Sequence, residues 1–164
     1  MRDGLEGESV AYALKDSHSL LHVAQTFRSD GRVLDWEISI ENTSDRVLEI
    51  GDLAISIPAI EPDGDKEVAW NCENGFITHH FVSGNGSFLY FTRGSGAPPF
   101  LVVNVLAGTH LEYFDSGGGA PLPRFYIHSG LAGTEETRGT WRQQHTNLHL
   151  TPRGSDDSSV RYGF

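Results

Sequence analysis

Residues 33–40 hold the pattern that most constrains the fold. Leu34, Trp36, Ile38 and Ile40 alternate with Asp35, Glu37 and Ser39. A period of two puts the apolar side chains on one side of an extended chain and the polar ones on the other. A strand with one wet face belongs in an antiparallel sheet, because parallel strands are usually covered on both faces. Asn42-Thr43-Ser44-Asp45 follows as a turn. Asn and Asp tolerate left-handed backbone and hydrogen-bond nearby amides.

Strand-like runs of this length recur along the chain. They fall at residues 20–27, 47–57, 76–82, 87–92, 100–106, 110–114, 124–128, 146–151 and 159–164. Gly51-Asp52 predicts a bulge or bend inside the run at 47–57, and Pro58 ends it. The runs at 76–82 and 87–92 flank Ser83-Gly84-Asn85-Gly86, which reads as a hairpin with Asn-Gly supplying positive φ. Phe100-Leu101-Val102-Val103-Asn104-Val105-Leu106 is apolar on both faces and is expected to be a central strand. Residues 61–67 form a charged loop, and no 12-residue stretch has amphipathic helical spacing.

About ten short strands separated by turn signals predict an all-β fold, an antiparallel β-sandwich. The sandwich is expected over residues 20–164, after a loose lead-in over 1–19. The last run, 158–164, reads as a strand with no turn or return partner after it. This predicts a sandwich truncated at its C-terminus, a piece of a longer protein with an exposed apolar patch at the missing contact.

The 164 residues suffice for one domain with a real core. The net charge of −10 and the lack of any basic run argue against nucleic acid. No apolar run approaches a membrane span, so no membrane partner is expected. Met1-Arg2-Asp3-Gly4 lacks the apolar region of a signal peptide, and the single Cys72 excludes an intrachain disulfide. The sequence therefore leaves the compartment unassigned.

Eight histidines invite a metal reading, but their spacing does not support one. His79 and His80 are adjacent and face opposite ways on a strand. His110 and His128 lie on separate runs and are able to meet in space. No metal and no cofactor is expected. Among the many carboxylates, Glu49, Asp52 and Glu112 stand out, because they sit at a strand bend or on a strand. Spacing alone does not place two of them across a sugar.

Aromatic side chains are the remaining candidates for a sugar-stacking platform: Trp36, Trp70, Trp141, Tyr90, Tyr113 and Tyr126. Trp36 is in phase with the apolar face and is expected in the core. Trp70, beside Asn71, and Trp141, beside Arg142 and Gln143, lie in loop-like stretches. Such residues suit either stacking on a sugar or packing at an interface. Two glycosylation sequons, Asn42-Thr43-Ser44 and Asn85-Gly86-Ser87, fall on the expected turns.

Three segments together carry a resemblance. They are Asn42-Thr43-Ser44-Asp45 running into Leu48-Glu49-Ile50-Gly51-Asp52-Leu53; His79-His80-Phe81-Val82-Ser83-Gly84-Asn85-Gly86-Ser87-Phe88; and Leu111-Glu112-Tyr113-Phe114 followed by Tyr126-Ile127-His128-Ser129. In that order they resemble the N-terminal β-sandwich region of a family of large bacterial and fungal proteins that look like carbohydrate-active enzymes. In that family the sandwich precedes a helical barrel. The resemblance spans about residues 20–164. It implies a polysaccharide or oligosaccharide partner, a helical domain beyond Phe164, and an extracellular setting. It carries no catalytic residue onto this chain. By analogy with two-domain enzymes of this kind, His79, His80, Asn85 and Trp141 are candidates for a cleft or a domain interface. Strand packing is the alternative for His79-His80. The resulting expectation is a β-sandwich domain of a glycoside hydrolase-like enzyme, itself non-catalytic or lending loops to a sugar cleft. The alternatives are a stand-alone carbohydrate-binding module, a complete small hydrolase, and a structural or assembly protein.

Overall fold

The computed structural model describes residues 8–14, 20–57, 64–115, 123–132 and 144–164. The chain is built from strands β1 Glu8–Leu14, β2 Leu21–Ser29, β3 Leu34–Asn42, β4 Leu48–Ile50 and β5 Asp52–Ile55. Helix α1 Val68–Asn74 follows. Then come β6 Phe76–Phe81, β7 Phe88–Arg93, β8 Leu101–Asn104, β9 Tyr113–Asp115, β10 Arg124–Ser129, β11 Leu148–Leu150 and β12 Ser159–Gly163. The ladders are antiparallel and form sheets β1-β2-β3-β12, β5-β10-β9, β11-β4 and β6-β7-β8. This is the expected all-β, sandwich-like fold.

The alternation at 33–40 works as its pattern predicts. Ile38 and Ile40 enter the core, and Trp36 packs against its edge. The core draws Ile55 from β5, Leu89 and Phe91 from β7, Phe125 and Ile127 from β10, Leu148 and Leu150 from β11, and Tyr162 from β12. Burying one such aromatic or aliphatic side chain contributes about 1.5–3 kcal/mol.

Three features differ from the sequence reading: β1, α1 and the run at 100–106. β1 lies inside the segment read as a loose lead-in and pairs with β2 along seven positions, from Glu8↔Ser29 to Leu14↔Val23. Its Glu-Ser-Val-Ala-Tyr-Ala-Leu run carries little hydrophobic contrast, so tertiary pairing rather than local pattern makes it a strand. The short helix α1 stands where the reading had only loop, and Trp70 therefore sits on a helix.

The run at 100–106 is not central. β8 is the outer strand of the β6-β7-β8 sheet, with Leu101 and Val102 exposed. The strand enclosed on both faces is β10, between β5 and β9, with Phe125 to Ser129 all buried. An apolar run fits either a buried strand or one that shows an apolar face to solvent, and periodicity does not separate the two.

The run read as the last strand pairs back onto an earlier one. β12 pairs with β3 from Ser159↔Glu41 to Gly163↔Glu37. Beyond the ladder, Phe164 N–H donates to Trp36 O at 2.8 Å, and Trp36 N–H donates to Phe164 O at 3.0 Å. The turn after β8 covers part of the outer edge of β12. Leu106 N–H donates to Gly163 O, and Gly163 N–H donates to the Thr109 hydroxyl.

The bend at Gly51 is real and separates β4 from β5. Gly130 packs against it, and its N–H donates to Gly51 O at 2.7 Å. A Cβ at Gly130 would meet the Asn147 side-chain amide and lie 3.1 Å from Gly51 O, so a larger residue there requires Asn147 to move.

Candidate functional site

Two places concentrate chemistry-bearing side chains. One is the outer face of the β6-β7-β8 sheet. The other is a buried polar cluster around Glu112.

The outer face follows from the register. Leu89 and Phe91 of β7 point into the core, so Phe88, Tyr90 and Thr92 point away from it. The cross-strand pairs make three rows. Phe81, Phe88 and Asn104 form one; His79, Tyr90 and Val102 form the second; Ile77 sits opposite Thr92 in the third. Phe100, just before β8, joins the face through Tyr90. Phe88 is 42% exposed, Phe100 51% and Val102 53%, which is unusual for the solvent side of a sheet. The rings align in near-parallel pairs. Phe81 and Phe88 have centroids 5.7 Å apart, Tyr90 and Phe100 6.4 Å, and His79 and Tyr90 6.1 Å. Offset stacking of this kind holds neighbouring rings in a fixed array.

The polar cluster has Glu112 at its centre, only 5% exposed. Its Oε2 accepts from Ser129 N–H, Thr146 N–H and the Ser129 hydroxyl, each at 2.9 Å. Its Oε1 accepts from the Thr146 hydroxyl and lies 3.4 Å from His110 Nε2. The Thr146 hydroxyl directs its proton at Glu112, so its oxygen accepts from His128 Nδ1–H at 2.8 Å. His128 Nε2 then accepts from the Tyr162 hydroxyl at 2.7 Å. By the same logic Ser129 Oγ accepts from His145 Nδ1–H at 2.7 Å. One carboxylate thus gathers three histidines, His110 directly, His128 through Thr146 and His145 through Ser129.

Burial lowers the His128 pKa, with Glu112 pulling the other way and His110 and His149 adding to the depression. Burial also pushes the Tyr162 hydroxyl up to about 12, helped by the negative charge of Glu112. Tyr162 therefore stays protonated and serves as a fixed donor to His128. The cluster joins the segment before β9, the end of β10, the segment before β11, and β12. Both Glu112 oxygens are engaged by bonded neighbours, so the network fixes geometry and leaves no carboxylate poised toward solvent.

The residues singled out in the sequence fall in different places. His79 lies on the outer aromatic face. His80 points the opposite way, with its ring 3.8 Å from Phe114 and in an edge contact with Phe125. Burial lowers its pKa, with His79 adding to the effect. Asn85 is exposed at the tip between β6 and β7. The positive φ there belongs to Gly84, at 57°, rather than to the Asn-Gly pair. Gly84 bridges Leu111, and the buried Ser87 hydroxyl donates to Gly84 O at 2.7 Å while accepting from Ser83 N–H. Trp70 is 39% exposed, with Lys66 Nζ 5.7 Å from its ring centre. Trp141 and Arg142 lie outside the described residues.

His110 and His128 do meet, with ring centroids 5.9 Å apart. Among the described residues no group of three or more His, Cys, Asp or Glu side chains is arranged to hold a metal ion. Glu49 is engaged by the Asn147 amide and His149, and Asp52 accepts from Leu131 and Ala132 N–H. Asn42, the first sequon, is fully buried. Its amide donates to Arg46 O, Leu150 O and Thr151 O, and its oxygen accepts from Ser44. It is a structural clip closed to a glycan in the folded chain, while Asn85 stays open.

Of the aromatic candidates read from sequence, Tyr90 is on the outer face, whereas Tyr126 is buried on β10. Phe81, Phe88 and Phe100 were not legible as a platform, because an apolar run such as 100–106 reads equally well as a central strand. Alternation between Leu89/Phe91 and Phe88/Tyr90 is the signal that a second face exists.

No protein-family model and no curated protein matches the sequence. Among solved structures, a polysaccharide lyase matches over 92% of this chain with a TM-score of 0.63 and 14% identity. The match covers 20% of that protein, so this chain spans about one fifth of its length. At this identity the likeness shows a shared fold: the chain has the β-rich architecture of one region within a carbohydrate-active enzyme.

Proposed function

We propose that this chain is a β-sandwich domain of a carbohydrate-active enzyme, non-catalytic by itself, that contacts polysaccharide beside a larger catalytic region. The observation that carries the reading is the fold match, nearly complete on this side and one fifth of the polysaccharide lyase on the other. The three carboxylates that stood out in the sequence support it. Glu112, Glu49 and Asp52 are each committed to hydrogen bonds or ion pairs that hold segments together. Retaining and inverting glycosidases instead need two carboxyl groups facing across a bound sugar. The helical domain expected after Phe164 and an extracellular setting belong to the same proposal. Trp70, Trp141 and Arg142 remain proposed cleft contacts beside His79, His80 and Asn85.

The test is an activity assay on the purified chain against a polysaccharide panel, reading both new reducing ends and new unsaturated ends. The chain alone is expected to release neither. A longer polypeptide, expressed from the source transcript past the Phe164 codon, is expected to release one of them. Turnover by the isolated chain, lost in a folded Glu112→Gln variant, would overturn the reading in favour of a complete small enzyme.

A further inference from the structure

We infer that the outer face of the β6-β7-β8 sheet is a binding platform for a neutral glycan chain. The inference rests on the carbohydrate reading above and names the surface and the ligand class. A sugar ring presents C–H groups on its faces and hydroxyls on its rim. A matching protein surface therefore needs exposed aromatic rings with neutral hydrogen-bonding groups between them.

The face has both. Phe81 stacks beside Phe88, and Tyr90 stacks between His79 and Phe100. Asn104 stands opposite Phe88 in the first row, and His79 and Tyr90 bring polar atoms into the second. The rows follow the strand repeat, so rings recur about every 7 Å along the sheet. A sheet ladder holds the rings before the ligand arrives, which lowers the ordering cost of binding.

Charge decides between glycan classes. The three rows of cross-strand pairs carry no Asp, Glu, Lys or Arg. The chain as a whole is at −10, so a polyanionic sugar is repelled and finds no cation here. A neutral chain meets neither obstacle. Trp70 on α1, the candidate from sequence, stands under Lys66 and is not part of these rows.

The experiment is affinity electrophoresis and calorimetry of the full chain with a soluble β-glucan, a galactomannan and an arabinoxylan. Polygalacturonate serves as the acidic counter-probe. At least one neutral glycan is expected to bind. Phe88→Ala and Phe100→Ala are each expected to weaken binding by roughly tenfold. Both platform residues are exposed, and Phe100 lies outside the ladder, so it still reports if Phe88→Ala disturbs the fold.

Binding that persists unchanged in both platform variants would overturn the assignment of the face and leave the carbohydrate reading standing. Preferential binding of polygalacturonate would overturn the ligand class. Absence of binding to all the neutral glycans would overturn the platform. So would self-association in sedimentation that Phe88→Ala abolishes, which would make the face a protein contact. Catalysis by the isolated chain bears on the function proposed above, and not on this surface.

Discussion

At the level of single residues, Glu112 and His128 show how environment sets chemistry. Both are polar, both are buried, and each has its partners. Sequence marked Glu112 among several carboxylates and allowed His110 to meet His128. It held no sign of Thr146, Ser129 and Tyr162 as the groups that complete the network. Hydrogen bonds between residues 17 to 34 apart in the chain are invisible until the chain is folded. The His128 shift has a consequence with a definite sign. The folded ring resists protonation, while the unfolded chain takes a proton near pH 6.5. Below that value the unfolded state binds more protons, so stability falls as the pH drops from about 7 to 5. His80, lowered mainly by burial, acts in the same direction. Urea midpoints at the two pH values are expected to show the loss, and His128→Gln to shrink the pH dependence while lowering stability at pH 7. An unchanged pH dependence in the variant would remove His128 as its source. On the alkaline side the raised Tyr162 pKa makes stability decline between about pH 10 and 12.

Among the elements, alternation and turn chemistry located most strands. The run at 33–40 and the pair flanking Ser83-Gly84-Asn85-Gly86 lie where their patterns place them. Pattern was weakest where the partner supplies the order. β1 is a strand because β2 offers it an edge, and β8 is an outer strand despite its apolar run. Asn42 acts between elements as well, since its side chain ties the end of β3 to Arg46 and to the turn after β11. Asn42→Ala leaves buried carbonyls unpaired and is expected to cost about 1–3 kcal/mol. Chemical denaturation checks it, and a change within about 0.5 kcal/mol, as at an ordinary surface site, would show that the clip contributes little. The same burial makes Asn85 the sequon open to modification in the folded chain.

Across the whole molecule, Phe164 ties the first sheet to the core. Phe164 is buried, exchanges two backbone hydrogen bonds with Trp36, and packs its ring 5.1 Å from that indole. Trp36 in turn stacks on Phe27, so an aromatic ladder crosses three strands of the β1-β2-β3-β12 sheet. Phe164→Ala is expected to cost about 3 kcal/mol or more through the cavity it leaves. Thermal unfolding measures this, and a midpoint equal to that of the unsubstituted chain would show that the Phe164 ring is dispensable to the core. The fold likeness to one fifth of a polysaccharide lyase also belongs to the molecule as a whole, and no short motif in the chain announces it.

Local pattern was enough to set the class of fold, because period-two alternation and turn residues act over a few neighbouring positions. Composition likewise set the acidic charge and the shortage of basic runs that make polyanionic partners unfavourable. Which apolar run is enclosed and which faces solvent was settled by packing. That choice depends on which sheet covers which face, a fact spread over the whole chain. Phe125 and Ile127 vanish into the core while Phe88 and Phe100 stay open, although all four lie in strand-like runs of similar hydrophobicity. The candidate platform exists because packing drew Leu89 and Phe91 into the core and left their alternating neighbours outside.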